Sequence, residues 1–159
     1  MNFAFMTFST PELNWTDVLA TAKRLGYAGV EPRITAKHQH GLEPDADAGF
    51  LAEARAQAAA AGVAICCIAT SCRFADPGNC AENEASCVAA IALAKKVGSP
   101  RLRIFGGGFP EGLDRAGATA QLVGALKRLG PVAADAGVTL CLETHDSWCH
   151  PSEVAVAME

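Results

Sequence analysis

The sequence predicts an α/β fold in which a parallel sheet carries helices on its outside. Two observations favour this class. Short apolar runs rich in Val, Ile, Leu, Phe and Cys recur along the 159 residues, and segments with helical signals separate them. The helix ends also echo one another as LGYAGV, AAGVAI and DAGVTL, so that each helix stops at a glycine just before an apolar run. Such alternation is typical of repeated βα units.

The apolar runs are predicted to be short, largely buried strands. They are FAFMTFS from Phe3, AGVEPRI from Ala28, VAICCIAT from Val63, RLRIF from Arg101 and VTLCLE from Val138. If all of them are parallel, their carboxyl ends meet at one edge of the sheet.

The intervening segments carry helix start and stop signals. In the first, Asn14 is a suitable N-cap, Gly26 a suitable stop, and the apolar side chains recur at helical spacing. Further helices are predicted from Asp47 to Ala61, Asn83 to Val97 and Ala118 to Ala136, and a last one begins at Pro151. Pro131 lies within the fourth of these helices and is expected to kink or split it.

Two architectures fit this order of elements: an open doubly wound sheet and a (β/α)8 barrel. A complete barrel takes roughly 250 residues and eight strands, whereas this chain supplies about five βα units in 159 residues. We therefore expect one domain over residues 1–159, either a barrel that is incomplete at its C-terminus or a small open sheet.

Composition narrows the classes of function. The net charge is −4, from 13 Lys plus Arg against 17 Asp plus Glu, which disfavours a nucleic-acid partner because phosphate binding needs a basic surface. No apolar run reaches the ~20 residues of a membrane span, and MNFAFMTFST does not have the pattern of a signal peptide, so we expect a cytoplasmic protein without a membrane partner. Seven cysteines, an odd number, favour reduced thiols over a disulfide framework.

Polar side chains concentrate where the predicted strands end, which is where parallel α/β folds place functional groups. All four histidines of the chain belong to this set. Its main members are Arg33, His38 and His40 after the second strand, Ser71 and Arg73 after the third, and Glu143, His145, Asp146 and His150 after the fifth.

Glu143 is the strongest single candidate. A carboxylate at the mouth of an apolar strand must be ion-paired, protonated or metal-bound to offset its desolvation. Glu143 is therefore explained either by metal binding or acid–base catalysis, or by a structural ion pair. His145, two residues later, is a candidate catalytic residue that could ligate metal, bond substrate or orient Glu143; it could equally cap a backbone carbonyl.

The remaining candidates are predicted to bind substrate. His38 and His40 in KHQHG would face the same side of an extended segment, although solvated loop histidines explain them equally well. Arg33 and Arg73 could hold a carboxylate or phosphate, or could form ion pairs with Glu31 or Asp76. The polar side chains of Ser71 and Asp146 at the same strand ends complete the predicted set.

Several of these segments carry a resemblance to a known family. The pieces FMTFSTPELNWTDVLATAKRLGYAGVEPRI, KHQHG, ICCIATSCRFADPG, RLRIFGGGFPEG and VTLCLETHDSWC resemble the sugar phosphate isomerase/epimerase family, the xylose isomerase-like TIM barrels. LETHDSWC is the most specific part. The resemblance implies a (β/α)8 TIM barrel that is truncated here to about five βα units.

The resemblance also implies a chemistry. Proteins of this kind bind a divalent metal ion, often Mn, Mg, Co or Zn, through a glutamate after the fifth strand and through Asp, His and Glu of later strands. Glu143 matches the first of these ligands, and the others have no counterpart in this chain. The implied reaction moves a proton next to the carbonyl of a sugar or keto acid through an enediolate, with Glu143 both binding metal and shuttling the proton.

The same resemblance leaves alternatives. The isolated chain is expected to be weakly active or inactive, since most metal ligands are missing. It could instead be a noncatalytic metabolite-binding half-barrel, or one that works after self-association through its open strand edges. A zinc endonuclease of the same superfamily is a further alternative that the acidic balance disfavours.

Overall fold

The structure, a computed structural model, describes residues 1–158. Its strands are β1 (Ala4–Met6), β2 (Gly29–Glu31), β3 (Ala64–Ile65), β4 (Ile68–Arg73), β5 (Arg101–Phe105) and β6 (Thr139–Glu143). Its helices are α1 (Trp15–Leu25), α2 (Ala48–Ala61), α3 (Cys80–Val97), α4 (Arg115–Ala136) and α5 (Pro151–Met158). Short 3-10 turns cover Thr7–Ser9 and Asp146–Trp148. The predicted order of strands and helices is confirmed.

All strand pairs are parallel, and they form two three-stranded sheets in the orders β1-β2-β3 and β4-β5-β6. The predicted third strand is split between β3 and β4, at Cys66 and Cys67. An isolated bridge between Arg33 and Ala69 joins the two sheets into one wall. Within residues 1–158 this wall does not close, because β1 and β6 each pair on one side only. The chain is thus a partial TIM barrel of about five βα units, as the sequence indicates.

Capping side chains set several of the helix boundaries. Asn14 caps α1 by accepting a hydrogen bond from the Asp17 N–H, and Gly26 ends it in the left-handed conformation, as predicted. The fourth helix begins at Arg115, three residues before the predicted start, because the Asp114 side chain accepts from the Gly117 N–H at 2.8 Å. The third also begins earlier, at Cys80.

Pro131 does not split α4, so that part of the prediction is wrong: the helix runs without interruption from Arg115 to Ala136. Two features explain the tolerance. The preceding residue is Gly130, which has no Cβ to clash with the proline ring. The carbonyl that loses its partner belongs to Lys127, an exposed residue, so water can reach it.

The strands alternate between two environments. In β5, Leu102 and Ile104 are fully buried and belong to the hydrophobic core, which lies between the sheet and the helices. Arg103 and Phe105 point the opposite way, into the inside of the wall. The inner face therefore carries charged and aromatic groups, while the outer face supplies the packing.

Two further properties of the described chain bear on its class. Among the helices of residues 1–158, none combines the length and the hydropathy of a transmembrane segment. All seven cysteines are free thiols.

Candidate active site

Four of the predicted site residues line one cavity at the carboxyl ends of the strands. Its volume is about 190 Å³, and its lining consists of Ser71, Arg73, Phe105, His145 and Asp146. The convergence follows from the topology: β4, β5 and β6 are adjacent and parallel, so their last residues meet at one edge.

Glu143 is the last residue of β6 and forms an ion pair inside the wall. Its Oε2 lies 3.1 Å from Nη1 of Arg103, with 36% of the glutamate side chain and 15% of the arginine side chain exposed. In the sheet register Glu143 pairs with Phe105, which lines the cavity. The carboxylate is therefore next to the cavity, in contact with solvent and held by one cation.

Arg103 is a site residue that sequence reasoning did not find. Its Nη2 donates to the Thr70 carbonyl at 2.7 Å, and its guanidinium carbon lies 4.5 Å from the ring centroid of Phe105. Its buried Nε has no hydrogen-bond partner among the described residues. The available signal was a basic residue inside an apolar run, which places a cation on the inner face of the sheet.

His145 and Asp146 form a pair at the mouth of β6. The Nδ1 of His145 lies 2.8 Å from Oδ1 of Asp146, and the imidazole meets the Phe105 ring edge-on at a centroid distance of 5.2 Å. Asp146 has φ +52°, which is uncommon for a residue other than glycine. This conformation turns the aspartate back toward the imidazole and leaves Nε2 of His145 free for a ligand.

Arg33 reaches Ser71 but has little left to offer a substrate. Its Nη1 donates to the carbonyls of Ile34 at 2.7 Å and Ala69 at 3.4 Å, and its Nη2 donates to the Ser71 hydroxyl. Burial, and secondarily the charge of Arg103, lower the pKa of Arg33. The arrangement makes Arg33 a support for Ser71, whose own O–H remains free to donate.

His38 and His40 lie apart from this cavity. Their ring centroids are 5.8 Å from each other, and His38 lines a neighbouring cavity of about 440 Å³ together with Lys37 and Glu43. His40 is 1% exposed; its Nδ1 accepts from the Leu42 N–H and its Nε2 lies 3.0 Å from the Arg33 carbonyl. With both nitrogens bonded, His40 holds the β2–α2 loop and has no nitrogen left for a ligand.

The burial of His40 predicts a pH-dependent stability. Desolvation lowers the pKa of His40 below its ordinary value of 6.5, so the unfolded chain binds the proton more readily than the folded one. Stability is therefore complete above about pH 6.5 and falls as the pH drops below it, by up to ~1.4 kcal/mol per pH unit for one proton. Urea unfolding at about pH 7.5 and about pH 5.5 measures this loss.

Two variants compare His40 with an exposed histidine. His40→Gln is expected to be less stable at neutral pH and to lose much of the acid sensitivity. His150→Gln, at an exposed position, should keep the sensitivity of the wild type. An acid response that survives unchanged in His40→Gln would contradict this role.

The described residues do not form a metal site. No group of three or more His, Cys, Asp and Glu side chains within residues 1–158 is arranged to hold a metal ion. Glu143 offers one carboxylate, and its nearest charged partner is the Arg103 guanidinium, a cation. Divalent ions require several oxygen or nitrogen ligands. The residues present therefore fit at most one position of a metal's ligand set.

Solved structures with the same fold include a sugar epimerase and a probable dehydratase. D-psicose 3-epimerase with D-tagatose, from Clostridium cellulolyticum H10, is 13% identical with a TM-score of 0.77; the match covers 99% of this chain and 60% of that one. The probable 3-DHS dehydratase AsbF of petrobactin synthesis, from Bacillus anthracis, is 15% identical with a TM-score of 0.74, covering 100% and 60%.

Metal-bound structures occur among these neighbours. A xylose isomerase-like TIM barrel protein from Mycobacterium smegmatis in complex with magnesium is 19% identical with a TM-score of 0.70, covering 99% of this chain and 60% of that one. This chain thus spans about 60% of the length of each of the three proteins. At such identities the likeness establishes the fold alone.

The sequence itself settles the family. No curated protein matches the chain. The sequence pattern of the xylose isomerase-like TIM barrel matches residues 19–156, which begin within α1, end within α5 and include every element between them. The chain therefore belongs to the xylose isomerase-like TIM barrel family.

Proposed function

We propose that this chain forms part of a sugar or sugar phosphate isomerase or epimerase, which transfers a proton next to a carbonyl group. One observation carries the proposal: the Glu143 carboxylate stands at a strand end, partly exposed, beside a cavity lined by hydrogen-bond donors. The epimerases among the structural neighbours support the same class of reaction.

Glu143 is the proposed base. A carboxylate in contact with solvent can accept a proton from the carbon next to a carbonyl and return it to the neighbouring carbon, which is isomerisation. Epimerisation at the same carbon additionally needs a second group that supplies a proton to the opposite face. Arg103 fixes the orientation of this carboxylate and offsets its charge through the 3.1 Å contact. The proposed catalytic pair is thus Glu143 with His145, whose free Nε2 faces the same cavity.

The enediolate intermediate carries negative charge on oxygen, and His145 is the proposed donor to it. The imidazole lines the cavity, and in its protonated form the Nε2–H donates to that oxygen. Fixed donors of this kind stabilise developing charge because they need no reorganisation during the reaction. Asp146 holds His145 in place through the 2.8 Å contact.

We also propose a divalent ion as the cofactor of the complete active site. When bound, such an ion polarises the substrate carbonyl and stabilises the charge on the intermediate. Of the described residues only Glu143 is proposed as a ligand. Neighbours with a bound zinc atom and with magnesium support a divalent metal in general.

A noncatalytic metabolite-binding half-barrel is the second candidate. Two observations favour it: Glu143 is already engaged by Arg103, and both edges of the wall are unpaired within residues 1–158. Such a protein would bind a sugar and could self-associate through its edges, without proton transfer.

Hydrogen exchange between substrate and solvent tests the first candidate. The intact protein is incubated with D-fructose or D-tagatose in D2O with Mn²⁺ or Mg²⁺, and deuterium is followed by NMR. We expect incorporation at a carbon next to the carbonyl, slowed at least tenfold when EDTA removes the metal. Sorbitol, which has no carbonyl, is the control and should incorporate none.

The two candidates give different outcomes. If a ketose binds in the presence of metal but incorporates no deuterium, the isomerase proposal is rejected in favour of the noncatalytic binding half-barrel. Incorporation that persists in EDTA would retain proton transfer and remove the metal from the proposal.

A further inference from the structure

Arg73 differs from the other two arginines of the site. Arg33 is engaged by the Ile34 and Ala69 carbonyls and by Ser71, and Arg103 is engaged by Glu143 and by the Thr70 carbonyl. Arg73 is exposed, and its guanidinium forms no ion pair or hydrogen bond within the described part of the chain. Of the three arginines around the cavity, Arg73 therefore has a guanidinium that is free to bind a ligand.

The backbone around Arg73 directs its side chain. The Arg73 N–H donates to Oδ1 of Asn83 at 3.0 Å, which fixes the end of β4. A Cβ on Gly107 would lie 2.9 Å from Cβ and 3.2 Å from Cδ of Arg73, so the arginine stem lies directly against this glycine. Gly107 also has φ +88°, where other residues are strained. The glycine turn thus provides the space in which the stem reaches the cavity.

A hydroxyl donor lies beside Arg73 in the lining of the cavity. Ser71 accepts from Arg33, which leaves its O–H to donate elsewhere. The acidic groups nearby are already engaged: Asp146 by His145 and Glu143 by Arg103. A cavity of about 190 Å³ with a free guanidinium and a hydroxyl donor is suited to an oxyanion.

We infer that the substrate carries a terminal oxyanion, a phosphate or a carboxylate, and that Arg73, with Ser71, binds it. This inference rests on the proposed function for the position of the reacting carbon, which would lie toward Glu143 on the neighbouring strand end. It distinguishes Arg73, as the anion-binding arginine, from Arg33, which supports Ser71.

Small anions test the subsite independently of the reaction. Inorganic phosphate and acetate have no reacting carbon, and their binding to the intact protein is measured by calorimetric titration. We expect at least one of them to bind, and Arg73→Gln to weaken it about tenfold or more, as loss of a charge-assisted contact does. Arg24→Gln, an exposed arginine on α1, is the matched control and should bind as the wild type does.

Sugar ligands then distinguish the two sources of the anion. D-Fructose, D-fructose 6-phosphate and 5-keto-D-gluconate share a carbonyl and differ in having no anion, a phosphate or a carboxylate. We expect one of the two anionic ligands to bind about tenfold or more tighter than D-fructose, with the difference lost in Arg73→Gln and partly kept in Arg73→Lys.

The outcomes are separable from those of the proposed function. Failure of both small anions to bind, or equal binding by wild type and Arg73→Gln, overturns the anion subsite, whatever the exchange assay shows. If anion binding depends on Arg73 but no ketose exchanges deuterium, the anion subsite is supported and the isomerase function is rejected. Circular dichroism of Arg73→Gln checks that the variant is folded.

Discussion

Replacing Glu143 with Gln is expected to slow deuterium exchange into the substrate by a factor of about 10² to 10⁴, the usual contribution of a general base. The amide has nearly the shape of the carboxylate but cannot accept the proton. It can still accept a hydrogen bond from Arg103, whose Nη1 lies 3.1 Å from Oε2 in the wild type. The fold should therefore survive, and the loss should appear in kcat rather than in thermal stability.

Glu82→Gln is the matched control for this variant. Glu82 is an exposed residue in the first turn of α3, so the same change of charge there should leave the exchange rate unaltered. An exchange rate for Glu143→Gln within about threefold of the wild type would reject Glu143 as the base, because a base contributes at least about 10²-fold.

Gly106→Ala is expected to destabilise the fold by about 3 kcal/mol, through a collision in the core beneath the site. A Cβ at this position would lie 2.2 Å from Cδ1 and 2.3 Å from Nε1 of Trp148. Trp148 is fully buried, donates from Nε1 to the Gly107 carbonyl at 2.9 Å and packs edge-on against Phe109. The indole has to leave this position, losing its contacts and its hydrogen bond.

Gly108→Ala provides the comparison two residues away. Nothing lies within 4 Å of a Cβ built there, so this variant should change the free energy of unfolding by less than about 0.5 kcal/mol. Urea unfolding followed by circular dichroism measures both. Equal stabilities of the two variants would show that the site relaxes around the added methyl group.

The periodicity of the sequence was sufficient to predict the elements of this fold. Glycines at the helix ends and apolar strand runs encode local structure, and Asn14 and Gly26 act as the sequence indicates. The break at Cys66 and Cys67 was not predictable, because an unbroken apolar run carries no mark of the residue at which pairing shifts from one strand to the next.

For the candidate site, position along the chain predicted which side chains lie at the strand ends but not their partners. The carboxyl ends of parallel strands meet at one edge of a sheet, and Ser71, Arg73, His145 and Asp146 accordingly line one cavity there. Position along the chain could not show that both nitrogens of His40 are satisfied within the protein, since these bonds depend on the path of a loop. Nor could it assign Arg103 to Glu143, because that contact joins side chains 40 positions apart across two strands.

The break between β3 and β4, at Cys66 and Cys67, affects how local unfolding spreads through the wall. Two sheets joined by one backbone bridge are expected to open as separate cooperative units, and native-state amide exchange would report two levels of protection. Arg33 spans this break, since it follows β2 in the chain while its backbone bridges Ala69 of β4 and its guanidinium donates to Ser71 of β4. Immobilising Ser71 with a ligand would therefore slow amide exchange in β1 and β2, two strands that the ligand never touches.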